Sequence, residues 1–300
     1  MKSRIYFSLS MIIFGTIGIF IRYIDLASSE IALLRGFIGS IYLLASIILI
    51  RQKISWENIK KNIRLLLPSS FILGGNWILL FQAYKHTTIA NTALIYYFAP
   101  VFLIIMSPIV LKEKISIKKV VCISISILGM FLIVQNRGNG GTEYNHLLGI
   151  LYAIIAAAFY AALMLINKFI KNMNGLETTL FQLALATIML IPYVFITEGV
   201  NLFRVTGFSV VNIIILGVIH TGVGFYLFFS VMSELKAQSI AALSYIDPVT
   251  AVFVSLIIFD EGMTVLQIFG AVLLLGSIFI SEMNKNNEHP EKVSNEHESG

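Results

Sequence analysis

An aspartate at 247, an arginine at 35 and a histidine at 220 stand inside long apolar runs, where charge has few partners. Asp247 lies about ten positions into its run and directly precedes Pro248. An acid at that depth in hydrocarbon costs at least ~2.5 kcal/mol even on permissive scales, so it must be neutral, paired or facing water. It can act as a proton carrier or a contact for a substrate ammonium, or it can be a protonated carboxyl bonded to a neighbouring helix. Arg35 falls ~10 Å below the outer end of its run at 1.5 Å per residue. It either anchors a carboxylate near an external gate or snorkels outward to pair with Glu30 or Asp25, and the second, structural role is favoured. A lone buried histidine such as His220 is more often a hydrogen-bonded packing residue than a proton relay. Cys122 cannot form an intramolecular disulfide, and reads as a small buried apolar residue.

Pro100 and Pro248 each remove an N–H and free the carbonyl four residues earlier, that of Tyr96 or Ser244. A free carbonyl in hydrocarbon must face protein, water or ligand. Two such prolines at matching depth favour hinges beside a cavity over simple packing kinks. Tyr97 and Tyr245 each lie three residues before their proline, on the same helix face, and are placed at the cavity wall. The remaining cavity candidates are Phe14, Asn76, Trp77, Tyr96, Tyr160 and Phe225. Asn76 and Gln182 serve either as helix-to-helix hydrogen bonds or as ligand contacts, and Asn76 is the stronger candidate because Trp77 adjoins it. Glu113 and Glu261, at the ends of their runs, are expected to cap the helix that follows each.

These groups must be held by membrane helices. The chain of 300 residues is 57% hydrophobic and only 12% charged, with mean hydropathy +0.87. Soluble domains carry about 25% charge, so this is an integral membrane protein. Apolar runs predict ten spans, near 5–22, 29–50, 65–84, 89–110, 117–135, 147–167, 177–197, 209–232, 238–259 and 263–282. Each is close to the ~20 residues an α-helix needs to cross the bilayer. The N-terminal run has no small-residue cleavage site and reads as an uncleaved first span. Residues 284–300 are almost free of apolar side chains and are expected to be a disordered cytoplasmic tail.

The chain repeats itself. Residues 74–113 align without a gap on residues 222–261, with ten identities in forty positions, among them Ala93/Ala241, Tyr97/Tyr245, Pro100/Pro248, Ser107/Ser255 and Glu113/Glu261. The predicted fold is therefore all-α and integral to the membrane: ten transmembrane helices as two five-helix repeats, residues 1–140 and 141–283, around a central cavity. Five spans per repeat is an odd number, so the second must be inverted relative to the first. With the N-terminus cytoplasmic, 16 of the Lys and Arg residues fall inside and 4 outside, Arg35 lying within a span. Equivalent loops carry opposite charge character, as inversion requires. Both termini are expected to be cytoplasmic. The Lys and Arg residues sit in short loops rather than on one face, so the excess of +5 is no nucleic-acid footprint.

The segments "YFAPVFLIIMSPIVLKE" (Tyr97 to Glu113) and "YIDPVTAVFVSLIIFDE" (Tyr245 to Glu261) resemble the proline-plus-glutamate helices of the EamA repeats. These belong to the drug/metabolite transporter superfamily. Arg35 early in span 2, Gly129 and Gly276 in the helices that follow each repeat's signature, and the ten-span length agree. The resemblance implies that spans 1, 3, 4, 6, 8 and 9 line the cavity while spans 5 and 10 pack at the rear. It implies export of amino acids and related metabolites across the bacterial cytoplasmic membrane, although relatives of this kind move sugars, nucleotide sugars or drugs. An acid before the second proline is frequent in the family. Many members carry tryptophan where this chain has Phe14.

The expectation is a secondary transporter of small organic metabolites working by alternating access, driven by protons or by a counter-transported solute. Its other partner is the lipid bilayer. No phosphate loop, nucleotide-binding domain, cofactor motif or metal-ligand spacing is present in the sequence, and an enzyme is not expected. A membrane-embedded enzyme on lipid-linked substrates is the alternative from another class, and a passive channel is a third. An enzyme needs polar groups converging at one interface.

Overall fold

A computed structural model describes residues 2–110, 112, 116–135, 145–197, 206–232, 235 and 243–283. The expected tail 284–300, Glu113, the repeat boundary near 140 and the short connection after span 8 lie outside these residues. Every regular element among the described residues is helical. In chain order they are α1 (Lys2–Gly15), α2 (Ile17–Arg22), α3 (Ser28–Leu49), α4 (Trp56–His86), α5 (Ile89–Tyr96), α6 (Ala99–Val110), α7 (Ile117–Gln135), α8 (His146–Asn167), α9 (Gly175–Thr197) and α10 (Gly207–Ile215). A π-helical segment, Leu216–Val223, then leads into α11 (Gly224–Met232), followed by α12 (Ile246–Ile258) and α13 (Val265–Met283).

Among the described residues, eight stretches are long and apolar enough to cross a bilayer, and Ile246–Ile258 and Val265–Ser281 are shorter apolar helices. Helices are the form expected here, because lipid offers no partner for an open backbone group. Large apolar side chains such as Leu49, Ile109, Ile196 and Val265 point outward, as lipid-facing residues do.

One boundary differs markedly from expectation. Span 3 starts not near residue 65 but at Trp56, because Ser55 caps the helix by accepting from the Asn58 N–H at 3.4 Å. The basic stretch with Lys60, Lys61 and Arg64 is thus a helical extension rather than a loop. Asn62, on this extension, donates to Lys171 O at 2.9 Å and accepts from Lys171 N at 3.2 Å.

The packing of α4 against α8 and α9, of α3 against α9 and the π segment, and of α1 against α11 and α12 forms the main body. Gly36 and Gly39 let α3 lie directly on Thr187 and Thr221. Gln182 on α9 is a helix-to-helix hub: its amide donates to Ser69 Oγ at 2.8 Å and to Asn167 Oδ1 at 2.6 Å. The helices α7 and α13 pack tightly on each other, with Ser126 and Ser277 hydroxyls 2.7 Å apart. The glycine facing Gly129 there is Gly270. A Cβ on either would sit 2.6 Å from the other's carbonyl, whereas Gly276 faces open space.

Candidate functional site

Three membrane helices change course at one place. The first divides at Thr16, whose N–H is shared between the carbonyls of Ile12 and Ile13, both at 3.2 Å. Its hydroxyl bends back to Ile13 O at 2.7 Å, a local bond that competes with the helix ladder. Span 4 divides at Tyr97–Phe98, between α5 and α6, and Pro100 sits in the first turn of α6, where a missing N–H is tolerated. In the second half, α12 opens just after Tyr245 with Pro248 in its first turn. The break in span 1 packs on this opening: a Cβ on Gly15 would fall 2.6 Å from the Asp247 carbonyl oxygen. Only glycine allows so close an approach of the two backbones.

The breaks are joined by a side chain. Tyr97 OH lies 2.8 Å from Asp247 Oδ2 and 3.0 Å from Ser244 O, so its one proton serves both. Ser244 O is the carbonyl that Pro248 leaves without its helical donor. Beside it, Tyr96 OH donates to Asn76 Oδ1 at 3.2 Å, and Asn76 Nδ2 donates to Ala156 O at 2.6 Å. The Tyr96 ring stacks on that of Tyr160 at 5.3 Å. Tyr96, Tyr97, Tyr160 and Asp247 form one cluster through these contacts. All four keep open surface, 37% in the case of Tyr160.

Arg35 does not snorkel. It is 2% exposed, its Nε donates to Thr221 Oγ1 at 2.6 Å, and its Cζ lies 4.4 Å from the Trp77 ring and 5.6 Å from that of Phe81. Glu30 is not its partner, because the Glu30 carboxylate accepts from the Ala27 N–H at the start of α3. Thr221 and His220 owe their direction to the π segment, where carbonyls five residues back replace the usual four. Thr221 Oγ1 donates to Leu216 O at 3.1 Å, and His220 Nδ1 lies 3.3 Å from Ile215 O. The other ring nitrogen, Nε2, is 3.0 Å from Thr16 Oγ1. His220, 1% exposed, meets Phe20 edge-on at 4.8 Å.

One end of the bundle is tied by an ion pair. Arg22, at the end of α2, pairs with Glu261 and donates to Thr87 O at 2.7 Å and Tyr84 O at 3.3 Å. Glu261 also accepts from the Ser255 hydroxyl and, at 3.0 Å, from the Ile89 N–H. It therefore caps α5, not the helix that follows it. Asp260 adopts φ 51°, and this left-handed residue turns the chain back so that Glu261 reaches across. The distant half, not the next helix, holds the open N–H.

Of the residues singled out from sequence, Tyr97, Asp247 and Pro248 meet directly, as do Asn76, Tyr96 and Tyr160, and Arg35 with Trp77. Phe14 and Phe225 pair edge-on at 5.5 Å on a neighbouring face. Tyr245 turns instead toward Phe279, at 5.4 Å. An apolar crevice of about 250 Å³ between α4 and α9, lined by Phe71, Gly74, Ala186, Leu190 and Tyr193 among others, contains none of them. Thr16 and Thr221 were not among the sequence candidates for the site. A glycine–threonine pair inside an apolar run was the one available signal for the first, since such pairs kink helices.

Several apolar helices of bilayer-spanning length make this a multi-pass membrane protein. The model of the EamA-like transporter family matches residues 1–135 and 147–283, and the chain belongs to that family. It is similar to the uncharacterized transporter YxxF of Bacillus subtilis (strain 168), at 29% identity over 275 residues, covering 91% of this chain and 87% of that one. An uncharacterized transporter of Archaeoglobus fulgidus is 26% identical over 278 residues, covering 91% and 93%. A more distant relative is the probable amino-acid metabolite efflux pump of Escherichia coli (strain K12), 23% identical over 190 residues, covering 60% and 62%. A solved crystal structure of a protein shares the fold with TM-score 0.65 at 15% identity, covering 94% of this chain and 96% of the other.

Proposed function

We propose that this chain is a secondary transporter exporting small organic metabolites of the amino-acid class across the bacterial cytoplasmic membrane by alternating access. In this reading residues 1–140 and 141–283 are two inverted five-helix repeats, ten spans in all, with both termini cytoplasmic. The internal space beside Asp247 is the substrate vestibule. The observation that carries the reading is the Tyr97–Asp247–Ser244 contact, in which a buried acid and a proline-freed carbonyl of one broken helix meet the hydroxyl of the other. The distribution of Lys and Arg supports the orientation, and the named efflux relative supports the substrate class.

Asp247 serves as the coupling group, exchanging a proton or holding a substrate ammonium while the halves rock about Pro100 and Pro248. Efflux from proteoliposomes loaded with an amino-acid and metabolite panel, at two pH values, tests this for wild type and Asp247→Asn. Saturable efflux in the wild type is expected, reduced at least about tenfold in the variant along with its pH response. The absence of saturable movement of any panel member refutes transport of this class. Unchanged pH response in Asp247→Asn reduces the acid to scaffold.

A further inference from the structure

Among the described residues, the Arg35 guanidinium is hydrogen-bonded through Nε and lies over the Trp77 ring, while its Nη edge has no partner. Nε is bound to Thr221, and Cζ lies over the ring of Trp77 with that of Phe81 nearby. No other hydrogen bond and no ion pair involve Arg35 among the described residues, although the side chain is almost wholly buried. A buried cation lacking a counter-charge is among the most costly arrangements in a membrane protein, and such a residue marks a solute path. The free Nη edge presents a planar fork of N–H donors, the geometry that matches a carboxylate with two parallel bonds.

Trp77, over whose ring Arg35 lies, directly follows Asn76, which accepts from the Tyr96 hydroxyl at 3.2 Å. Tyr96 adjoins Tyr97, whose hydroxyl contacts Asp247, and no hydrogen bond or ion pair joins Arg35 to Asp247 among the described residues. A solute bearing a carboxylate completes the arrangement, since no described residue forms an ion pair with Arg35.

We propose that Arg35 is the carboxylate-binding residue of the vestibule, held at its angle by Thr221 and Trp77, and that the solutes handled by this chain carry a carboxylate. This rests on the reading of the vestibule as the substrate path, and it adds a chemical requirement to it. Chloride and inorganic phosphate are disfavoured, the first because it cannot use both arms of the fork, the second because its charge is harder to desolvate between aromatic rings.

Trp77 supplies a direct readout. The chain has two tryptophans, so Trp56→Phe leaves Trp77 as the sole emitter, and Trp56 is an exposed residue outside the site. The full chain with Trp56→Phe, in detergent, is titrated with acetate, 4-methylpentanoate and L-leucine. The matched controls are acetamide, 4-methylpentanamide and L-leucinamide, with chloride and inorganic phosphate alongside. A saturable change in Trp77 emission is expected for a carboxylate, at least about tenfold tighter than for its amide. In Arg35→Gln the preference collapses to within about twofold, and Arg35→Lys, a point charge without the fork, falls between. Equal response to acids and amides, response only to chloride or phosphate, no saturable response, or a preference that survives in Arg35→Gln overturns the proposal. If Arg35→Gln does not fold, the acid-to-amide ratio in Trp56→Phe and its change in Arg35→Lys decide. Arg35-dependent binding of carboxylates that proteoliposomes do not move leaves this site standing and removes the transport reading. Carboxylate flux indifferent to Arg35 does the reverse.

Discussion

The two proline breaks share a sequence pattern and differ in chemistry. Both read Tyr-x-x-Pro-Val, yet the residue before the proline is Ala99 in the first and Asp247 in the second. Tyr97 of the first break reaches across to the acid and the freed carbonyl of the second. Tyr245, its counterpart, packs on the Phe279 ring. A shared pattern therefore fixes where the helices open, while a single substitution decides which opening carries ionisable chemistry. Both prolines stand at helix openings, and only one opening carries an acid.

The strongest way to break this pairing is at Glu261, which closes the second broken helix and caps the first. Replacing it by Gln leaves Arg22 enclosed without its anion and weakens the acceptor for Ile89 N–H. Removing one partner of a buried ion pair costs about 3–5 kcal/mol. Thermal unfolding of the detergent-purified protein should show a drop of several degrees. A double-mutant cycle with Arg22→Gln should return a coupling above about 1 kcal/mol, as residues in contact do. A loss below that level in the single variant means the tie does not hold the two breaks together.

That tie also marks the limit of what could be read from sequence. The bilayer forces apolar runs of a standard length, and a repeated Tyr-x-x-Pro pattern is visible without coordinates, so the helices and the breaks at Pro100 and Pro248 were legible. Glu261 was expected to cap its own next helix because sequence proximity is the only guide to a cap. The left-handed turn at Asp260 and the open N–H of Ile89, 172 positions away, become neighbours only on folding. Arg35 was expected to snorkel for a similar reason: an arginine near a span end has water within reach on average. Here Gly36 and Gly39 draw α3 against Thr187 and Thr221, and the arginine is shut in with Trp77. The π segment left no signature beyond a histidine in an apolar run, since its geometry depends on which carbonyls His220 and Thr221 select.

A smaller effect, on function more than stability, is expected from Tyr97→Phe. The ring and its packing remain, and only the hydroxyl joining the two openings is lost. A hydrogen bond to a carboxylate contributes about 1.5–3 kcal/mol, and one to a neutral carbonyl about 1 kcal/mol. Efflux in proteoliposomes should fall roughly tenfold, since each 1.4 kcal/mol is a factor of ten. Retention of wild-type efflux means the bridge between the breaks is a packing contact alone.

The smallest expected change, and the sharpest discriminator, is Tyr245→Phe. The edge-on contact with Phe279 survives this substitution, because it depends on the ring. Losing the oxygen costs at most about 1 kcal/mol, the net worth of an ordinary hydrogen bond. The same efflux assay should therefore register a drop of less than about fivefold, smaller than that of Tyr97→Phe. If the two variants lose activity equally, the tyrosines are interchangeable despite their different partners. The division of labour between a working and a merely structural hinge then fails, since Asp247 would no longer distinguish the halves. If Tyr97→Phe alone loses activity, and Tyr245→Phe leaves both efflux and its pH response intact, the asymmetry resides where the geometry locates it, in one hydroxyl facing one acid.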